Sequence, residues 1–132
     1  MKSTLILNAN VVNEGELKEC DILIKKGRIE RIGNDLQHIS ASSVVDASGL
    51  HLAPGMIDDQ VHFREPGLTH KADISTESAA AAAGGTTSFM EMPNVSPPTT
   101  NSAALKKKFE IARQKSLTNF SFYLGATNTN LD

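Results

Sequence analysis

The first 54 residues alternate short apolar runs with turn-forming residues and predict a small unit built only from strands. "TLILNANVV" predicts one strand, "DILIKKGRIERIG" predicts two strands around a turn at Lys26-Gly27, and "SVVDASGLHLAPG" predicts a strand pair broken at Asp46 to Gly49. Pro54 and Gly55 end this pattern. We therefore expect a separate β-rich lobe over residues 1–54.

After Gly55 the apolar pattern changes to alternating strands and helices. "MIDDQVHF", "TTSFMEMPN" and "NFSFYLGAT" predict strands, while "DISTESAAAAAGG" and "NSAALKKKFEIARQK" predict helices. Asp73 or Ser75 can cap the first helix, and Gly84-Gly85 ends it. The order β-α-β-α-β over residues 55–132 requires parallel strands joined by right-handed crossovers.

The second helix is predicted to be amphipathic. Its apolar stripe includes Leu105, Phe109 and Ala112, and the stripe also passes close to Lys108. The run Lys106 to Lys108 is nevertheless interpreted as a solvated face, because consecutive lysines are most often exposed. On the preceding strand, Met90 and Met92 are interpreted as core filler.

Composition is that of a globular protein and gives no reason to expect a nucleic-acid or membrane partner. The 132 residues are 39% hydrophobic and 21% charged, with a net charge of −2. The longest run of small or apolar residues, "AAAAAGG", is far shorter than the ~20 residues that span a bilayer. The N-terminus is not typical of a signal peptide, and the single Cys20 suits a reducing cytoplasm.

Residues capable of chemistry cluster where the first two strands of the alternating part end. In "IDDQVHFREPG", Asp58, Gln60, His62 and Arg64 occupy every second position, which predicts one shared strand face. Asn94 follows the next strand. No G-x-G-x-x-G follows the first strand, so a dinucleotide-binding unit is not indicated. Side chains at the carboxyl ends of parallel strands are typical of the active-site rim of a TIM barrel.

"PGMIDDQVHFREPGLTHKADISTESAAAAAGGTTSFMEMPN" closely resembles the opening of dihydroorotases, which belong to the amidohydrolase superfamily. The resemblance runs from about residue 5 to the chain end and is most specific in "HFREPG", "THKADI" and "MPN". It implies an α/β protein: a small β-sandwich lobe followed by the first part of a (β/α)8 TIM barrel that this chain leaves incomplete. Related allantoinases and hydantoinases differ at or beside the place of Arg64, so Arg64 favours dihydroorotase.

The resemblance also implies roles for individual residues. His62 matches the second histidine of the family's metal-binding pair, and Arg64 and Asn94, with His62, match substrate-binding positions. Gln60 stands where the family's first metal histidine usually is, so it is expected to be a weak metal ligand at best. The cofactor implied is zinc, one or two ions in a full-length protein and weakly bound or absent here. The catalytic general base and the remaining metal ligands are expected beyond Asp132.

Other polar residues are given structural roles. Asp58 is interpreted as a structural carboxylate at the strand end, and Asp59, on the opposite face, is expected to be buried or paired. His70 and Lys71 are expected to stabilise their loop. His38 and His51 are expected at the surface or within the sandwich lobe.

Three functions remain open from the sequence. The resemblance implies interconversion of N-carbamoyl-L-aspartate and dihydroorotate in pyrimidine biosynthesis, in the cytoplasm, with this chain alone inactive. Gln60 leaves open an inactive homologue that acts as a scaffold or transcarbamoylase partner. A hydantoinase-type cyclic amidase is the third. Unpaired strand edges further predict self-association, association with the missing segment or partial disorder. A homo-oligomer is also expected.

Overall fold

The computed structural model describes residues 2–130, and the chain divides into two compact units, Met1–Pro54 and Gly55–Asp132. We call these the N-terminal unit and the C-terminal unit. No helix in the described part of the chain is long and apolar enough to cross a membrane.

The N-terminal unit is a single sheet arranged around its first strand. Its strands are β1 (Ser3–Asn13), β2 (Glu16–Lys25), β3 (Arg28–Gly33), β4 (Ser43–Asp46) and β5 (His51–Leu52). The order is β3-β2-β1-β4, and β5 also pairs with β1. β1 is antiparallel to β2 but parallel to β4 and β5. The predicted strands and the turn at Lys26-Gly27 are therefore confirmed.

A small core covers part of this sheet. It consists of Leu5, Leu23 and Leu36, with Leu7, Ile39 and Ala41 packed against it. Many large apolar side chains of the unit remain exposed: Val12, Leu17, Ile29, Ile32, Val44, Val45 and Leu50. Burial of apolar area is the main source of stability, so this sheet has much apolar surface that contributes nothing within the described residues.

The C-terminal unit has the predicted β-α-β-α-β order. It runs through β6 (Met56–Val61), α1 (Ile74–Ala83), β7 (Thr86–Glu91), α2 (Ser102–Lys115) and β8 (Asn119–Phe122). The three strands are parallel in the order β6-β7-β8. Asp73 caps α1 by accepting the Thr76 N–H at 3.0 Å, and Asn101 caps α2. Both predicted helices and the parallel pairing are confirmed.

An aromatic core lies between the three-stranded sheet and the helices. Phe63, Ile74, Phe89, Ala112 and Phe122 are its buried members. The ring centroids of Phe63 and Phe89 are 4.4 Å apart, a close contact typical of tilted aromatic pairs. This core fixes the side of the sheet on which the helices lie, and thereby which residues of β6 and β7 point away from them.

Candidate functional site at the carboxyl ends of β6 and β7

Two loops meet at the carboxyl ends of β6 and β7, over residues 62–73 and 92–101. Met92 N–H donates to the Val61 carbonyl at 3.0 Å, which extends the strand pairing to the start of both loops. Further out, Ser96 N–H donates to the Pro66 carbonyl at 3.1 Å. The two loops thus form one continuous rim, and the predicted His62, Arg64 and Asn94 all belong to it.

His62 and Asn94 are in direct contact across the rim. Nδ1 of His62 lies 2.9 Å from Oδ1 of Asn94, so the imidazole donates this hydrogen bond in the tautomer protonated at Nδ1. That tautomer leaves the lone pair of Nε2 free. A metal-binding histidine commonly donates its other ring N–H to an oxygen in this way. The amide oxygen of Asn94 is occupied by His62, which leaves the Asn94 NH2 group for a ligand.

Arg64 occupies an unusual backbone conformation. Its φ of 69° lies in the left-handed region, which costs a residue with a Cβ about 1–2 kcal/mol. The residue is half-buried, its carbonyl accepts the Leu68 N–H at 3.1 Å, and its guanidinium makes no hydrogen bond within residues 2–130. The donors of Arg64 are therefore unused, as recognition of an anionic ligand requires.

Glu65 is a buried carboxylate that links the Arg64 loop to both helices. One oxygen accepts the backbone N–H of Ile74, the first residue of α1, at 3.1 Å. The other oxygen pairs with Lys115 at the end of α2. The hydrogen bond from Lys115 to Glu65 is the main reason that the pKa of Lys115 is raised. Sequence reasoning did not identify this residue, because nothing local indicates that a loop glutamate is buried.

Gly67 allows the two loops to approach each other. It has φ of +82°, and a Cβ at this position would lie 1.8 Å from the Ser96 carbonyl oxygen. Any side chain here would force the loops apart. The two loops therefore meet through direct contact between their backbones.

A bulge in β6 breaks the predicted alternation of Asp58, Gln60 and His62. Val61 comes three residues after Asp58, whereas their partners in β7, Phe89 and Glu91, are two residues apart. The extra residue interrupts the two-residue period of a strand. Spacing alone therefore does not place Asp58 on the face of Gln60 and His62, and that part of the prediction loses its support. Arg64 also lies beyond the strand, so the same spacing does not apply to it.

Gln60 and His62 do share a side of the backbone. Val61 and Phe63 both pack in the aromatic core, which leaves Gln60 and His62 on the side away from the helices, where both are exposed. Asp58 acts structurally, since its carboxylate accepts the Gln60 N–H at 3.1 Å.

The other polar residues show one further error. Asp59 is exposed and has no ion pair among the described residues, so the prediction that it is buried or paired is wrong. It fails because β6 is an edge strand and its residues from Met56 to Gln60 are all exposed, so no described residue covers either face there. His38, His51, His70 and Lys71 are exposed. Met90 and Met92 are half-buried.

Beneath the rim, Glu91 and Lys108 form a fully buried pair. Both side chains are 0% exposed, and Nζ of Lys108 lies 3.0 Å from Oε2 of Glu91. The prediction that Lys106 to Lys108 form a solvated face is therefore wrong for Lys108. Lys108 follows Leu105 by three residues on the buried stripe of α2, and the carboxylate of Glu91 compensates its charge there.

Burial shifts the pKa of each member of this pair in the direction that favours its neutral form. It raises the pKa of Glu91, with the Lys108 ammonium and the N–H groups of Arg64 and Phe63 opposing the shift. It lowers the pKa of Lys108, with Glu91 opposing. The two N–H groups approach the carboxylate without completing hydrogen bonds of regular geometry. Each partner thus depends on the other to remain charged.

The described residues do not complete a metal site. Zinc takes about four ligands in structural sites and about three protein ligands in catalytic ones. Within residues 2–130, no group of three or more His, Cys, Asp or Glu side chains is placed to hold a metal ion. His62 has a free Nε2 and Gln60 a neutral amide, so the described residues provide at most part of a metal site.

The C-terminal unit is a parallel α/β structure with a polar rim at the carboxyl ends of its strands. Residues 49–126 match the model of a family described as dihydro-orotase-like, and the chain belongs to that family. The dihydroorotase of Methanosarcina acetivorans is 41% identical over 122 residues, which are 92% of this chain and 26% of that relative. The allantoinase of Desulfitobacterium hafniense is 38% identical over 129 residues, 97% of this chain and 28% of that relative.

Solved structures support the same assignment. The L-hydantoinase (dihydropyrimidinase) from Arthrobacter aurescens superposes with a TM-score of 0.90 at 34% identity, over 99% of this chain and 29% of that one. The chain thus spans between a quarter and a third of the length of these relatives. The resemblance to dihydroorotases identified from "HFREPG" and "MPN" is confirmed.

Proposed function

We propose that the protein to which this chain belongs is a dihydroorotase, a cyclic amidohydrolase that interconverts N-carbamoyl-L-aspartate and dihydroorotate in pyrimidine biosynthesis. The observation that carries the proposal is the rim, where the Arg64 guanidinium, without a hydrogen-bond partner among the described residues, shares two joined loops with the His62–Asn94 pair. The proposal is supported by the dihydroorotase relatives at 40–41% identity over nearly the whole chain.

The reaction requires recognition of a carboxylate that does not react. In ring closure, the terminal ureido nitrogen bonds to the side-chain carboxyl carbon and water leaves, while the α-carboxylate remains outside the ring. A guanidinium can hold that carboxylate with two parallel hydrogen bonds, and the Asn94 NH2 group can add a third. In our proposal, Arg64 and Asn94 therefore bind and orient the substrate through its α-carboxylate.

We propose a zinc requirement for the whole protein, with His62 contributing Nε2. When bound, such a metal would activate water or polarise the reacting carbonyl. The other ligands and the general base belong to parts of the protein outside this chain. In this proposal, residues 55–132 form the first three strands and two helices of a (β/α)8 barrel, residues 1–54 are part of a β-sandwich lobe, and the isolated chain is inactive. The parallel strand order of the C-terminal unit supports the barrel.

The test compares Arg64→Ala with Arg31→Ala in the full-length protein. Arg31 lies exposed on β3 and serves as a matched control. We expect kcat/KM for dihydroorotate hydrolysis to fall about 100-fold in Arg64→Ala, because charge-assisted hydrogen bonds are worth about 1.5–3 kcal/mol each. Arg64→Lys should remain impaired, since an ammonium cannot bind a carboxylate bidentately. Equal activity of all four proteins, wild type included, would refute the role of Arg64, and an inactive wild type would refute the proposed function.

Gln60 supports a second candidate, an inactive homologue that serves as a scaffold, for instance for a transcarbamoylase. An amide oxygen is a poorer zinc ligand than an imidazole. If the site is weakened but functional, Gln60→His in the full-length protein should raise the zinc bound per chain after dialysis. A wild type that binds no zinc and hydrolyses no dihydroorotate would favour the scaffold. Equal zinc content and affinity in both proteins would show that position 60 is not a ligand position.

A further inference from the structure

We propose that the buried Glu91–Lys108 pair is a positioning element that sets the placement of Arg64 relative to Asn94, and so determines how tightly the rim binds a carboxylate. The inference rests on the proposed function in that Arg64 and Asn94 are taken as the carboxylate-binding residues. Neither Glu91 nor Lys108 lies in the rim loops, and neither has an exposed side chain. They act through the backbone of other residues.

Lys108 connects α2 to the start of the Asn94 loop. Its Nζ donates to the carbonyl of Met92 at 3.2 Å, two residues before Asn94. The same ammonium lies 4.9 Å from the centroid of the Phe122 ring, within the range of a cation–π contact. Because the side chain is enclosed on these sides, its charged end has a fixed location. The Met92 carbonyl is thereby tied to a rigid helix.

Glu91 connects the same ammonium to the Arg64 loop. Glu91 pairs with Val61 in the sheet, and the N–H of the next residue, Met92, donates to the Val61 carbonyl at 3.0 Å, so Glu91 lies beside the start of the turn that contains Phe63 and Arg64. The backbone N–H groups of Phe63 and Arg64 act on its carboxylate by opposing the rise in its pKa. These N–H groups belong to the turn in which Arg64 takes its left-handed φ of 69°. A carboxylate charge at this place favours the orientation in which both N–H groups point inward. The turn that carries the guanidinium is therefore held from beneath by Glu91.

The arrangement links the two loops through one ion pair. The Asn94 loop is held by a carbonyl that accepts from the ammonium, and the Arg64 loop by N–H groups that face the carboxylate. Since the guanidinium has no hydrogen-bond partner within residues 2–130, the backbone of its own turn sets the point and direction from which this side chain extends over the rim. A buried apolar pair could fill the same volume, but it would offer neither loop a charged partner. Stability alone does not require a buried pair, because apolar replacements are often neutral or stabilising.

The test uses the double variant Glu91→Gln/Lys108→Met in the full-length protein. Because both charges are removed, no uncompensated charge stays buried. The matched control is Lys107→Met, on the exposed side of α2. We expect KM for dihydroorotate to rise about tenfold while kcat changes less than about threefold, the pattern of lost ground-state and transition-state binding together. Lys107→Met should match wild type. An unchanged KM in a folded double variant would overturn the inference.

Two further measurements keep the inference testable. If the double variant does not fold, Glu91→Gln/Lys108→Gln keeps two polar side chains at these positions without leaving a buried charge, and the same rise in KM is expected. If the wild type does not hydrolyse dihydroorotate, the proposed function fails, and crystal structures of wild type and variant test the positioning directly. We then expect the His62–Asn94 distance of 2.9 Å or the φ of Arg64 to change in the variant. A rim that superposes unchanged would overturn the inference.

Discussion

The N-terminal and C-terminal units both bury carboxylates, but they compensate them in different ways. In the N-terminal unit, Asp21 accepts the backbone N–H groups of Asn8 and Leu36, each at 2.9 Å. In the C-terminal unit, Glu65 and Glu91 each contact a lysine that projects from α2. Asp21 thereby stabilises the register shift of β1 between Ile6 and Ala9 and the loop at Leu36, both within one unit. A carboxylate paired with a lysine of α2 instead ties a loop of the candidate site to that helix.

The two units also differ in how much of their apolar surface they bury. The N-terminal unit has a small buried cluster of three leucines and leaves many apolar side chains exposed. The C-terminal unit buries a cluster of phenylalanines between sheet and helices. Precise positioning of a site requires a rigid support, and rigid elements give it better than loops. We therefore expect a substitution in the C-terminal rim to lower the free energy of unfolding more than the same substitution in the N-terminal unit.

Gly67→Ala and Gly15→Ala test that difference with the same substitution. Both glycines have positive φ, +82° and +79°, but a Cβ at Gly67 meets the Ser96 carbonyl at 1.8 Å, whereas nothing lies within 4 Å of one at Gly15. We expect Gly15→Ala to cost only the left-handed strain of about 1–2 kcal/mol. Gly67→Ala should cost more, because the loops must separate as well. Urea denaturation of both variants provides the measurement, and equal losses of stability would contradict a closely apposed rim.

Asp21→Asn tests the carboxylate of the N-terminal unit. An asparagine retains one acceptor oxygen and places an NH2 group against a backbone N–H, so a loss of about 1–3 kcal/mol is expected. Amide hydrogen exchange should quicken at Asn8 and Leu36. Asp59→Asn is the control, since Asp59 is exposed and has no ion pair within the described residues; it should change stability by less than about 0.5 kcal/mol. Similar losses of stability in the two variants would show that the hydrogen bonds of Asp21 do not stabilise the fold.

The smallest effect concerns the two helix caps of the C-terminal unit. The N–H of Thr76 is the main reason that the pKa of Asp73 lies below its ordinary value of 3.8. The stabilisation by Asp73 is therefore present above pH 3.8 and is lost as pH falls through the lower pKa of the folded state. Asn101 caps α2 with a neutral amide that accepts the Ala104 N–H at 2.9 Å. Both Asp73→Ala and Asn101→Ala should lower Tm at pH 7.

These cap variants should diverge in acid. The Tm difference between wild type and Asp73→Ala should shrink as pH falls below 3.8, whereas the difference for Asn101→Ala should not depend on this titration. Calorimetry at several pH values would measure both. A constant difference for Asp73→Ala would contradict its role as a charged cap.

Patterns along the sequence determined the secondary structure and the family. Period-two apolar runs, turn residues and helix caps placed every strand and both helices of the described residues close to where they lie. These signals are local, since each depends on neighbours within a few residues. "HFREPG" and "MPN" identified the family for a related reason: they are continuous segments. His62 and Asn94 were identified in this way, and the structure brings them into contact.

Only the tertiary structure determined which charged side chains are buried and where the alternation of a strand is interrupted. The bulge in β6 depends on pairing with β7, and it removes the simple alternation on which the predicted faces of Asp58 and Asp59 rested. Lys108 is buried only because Glu91, 17 residues earlier in the chain, supplies the opposite charge beneath the rim. The burial of Glu65 likewise depends on Lys115, 50 residues away. Such interactions join residues that no local pattern relates, because the free energy of a buried charge depends on a partner brought close by the fold.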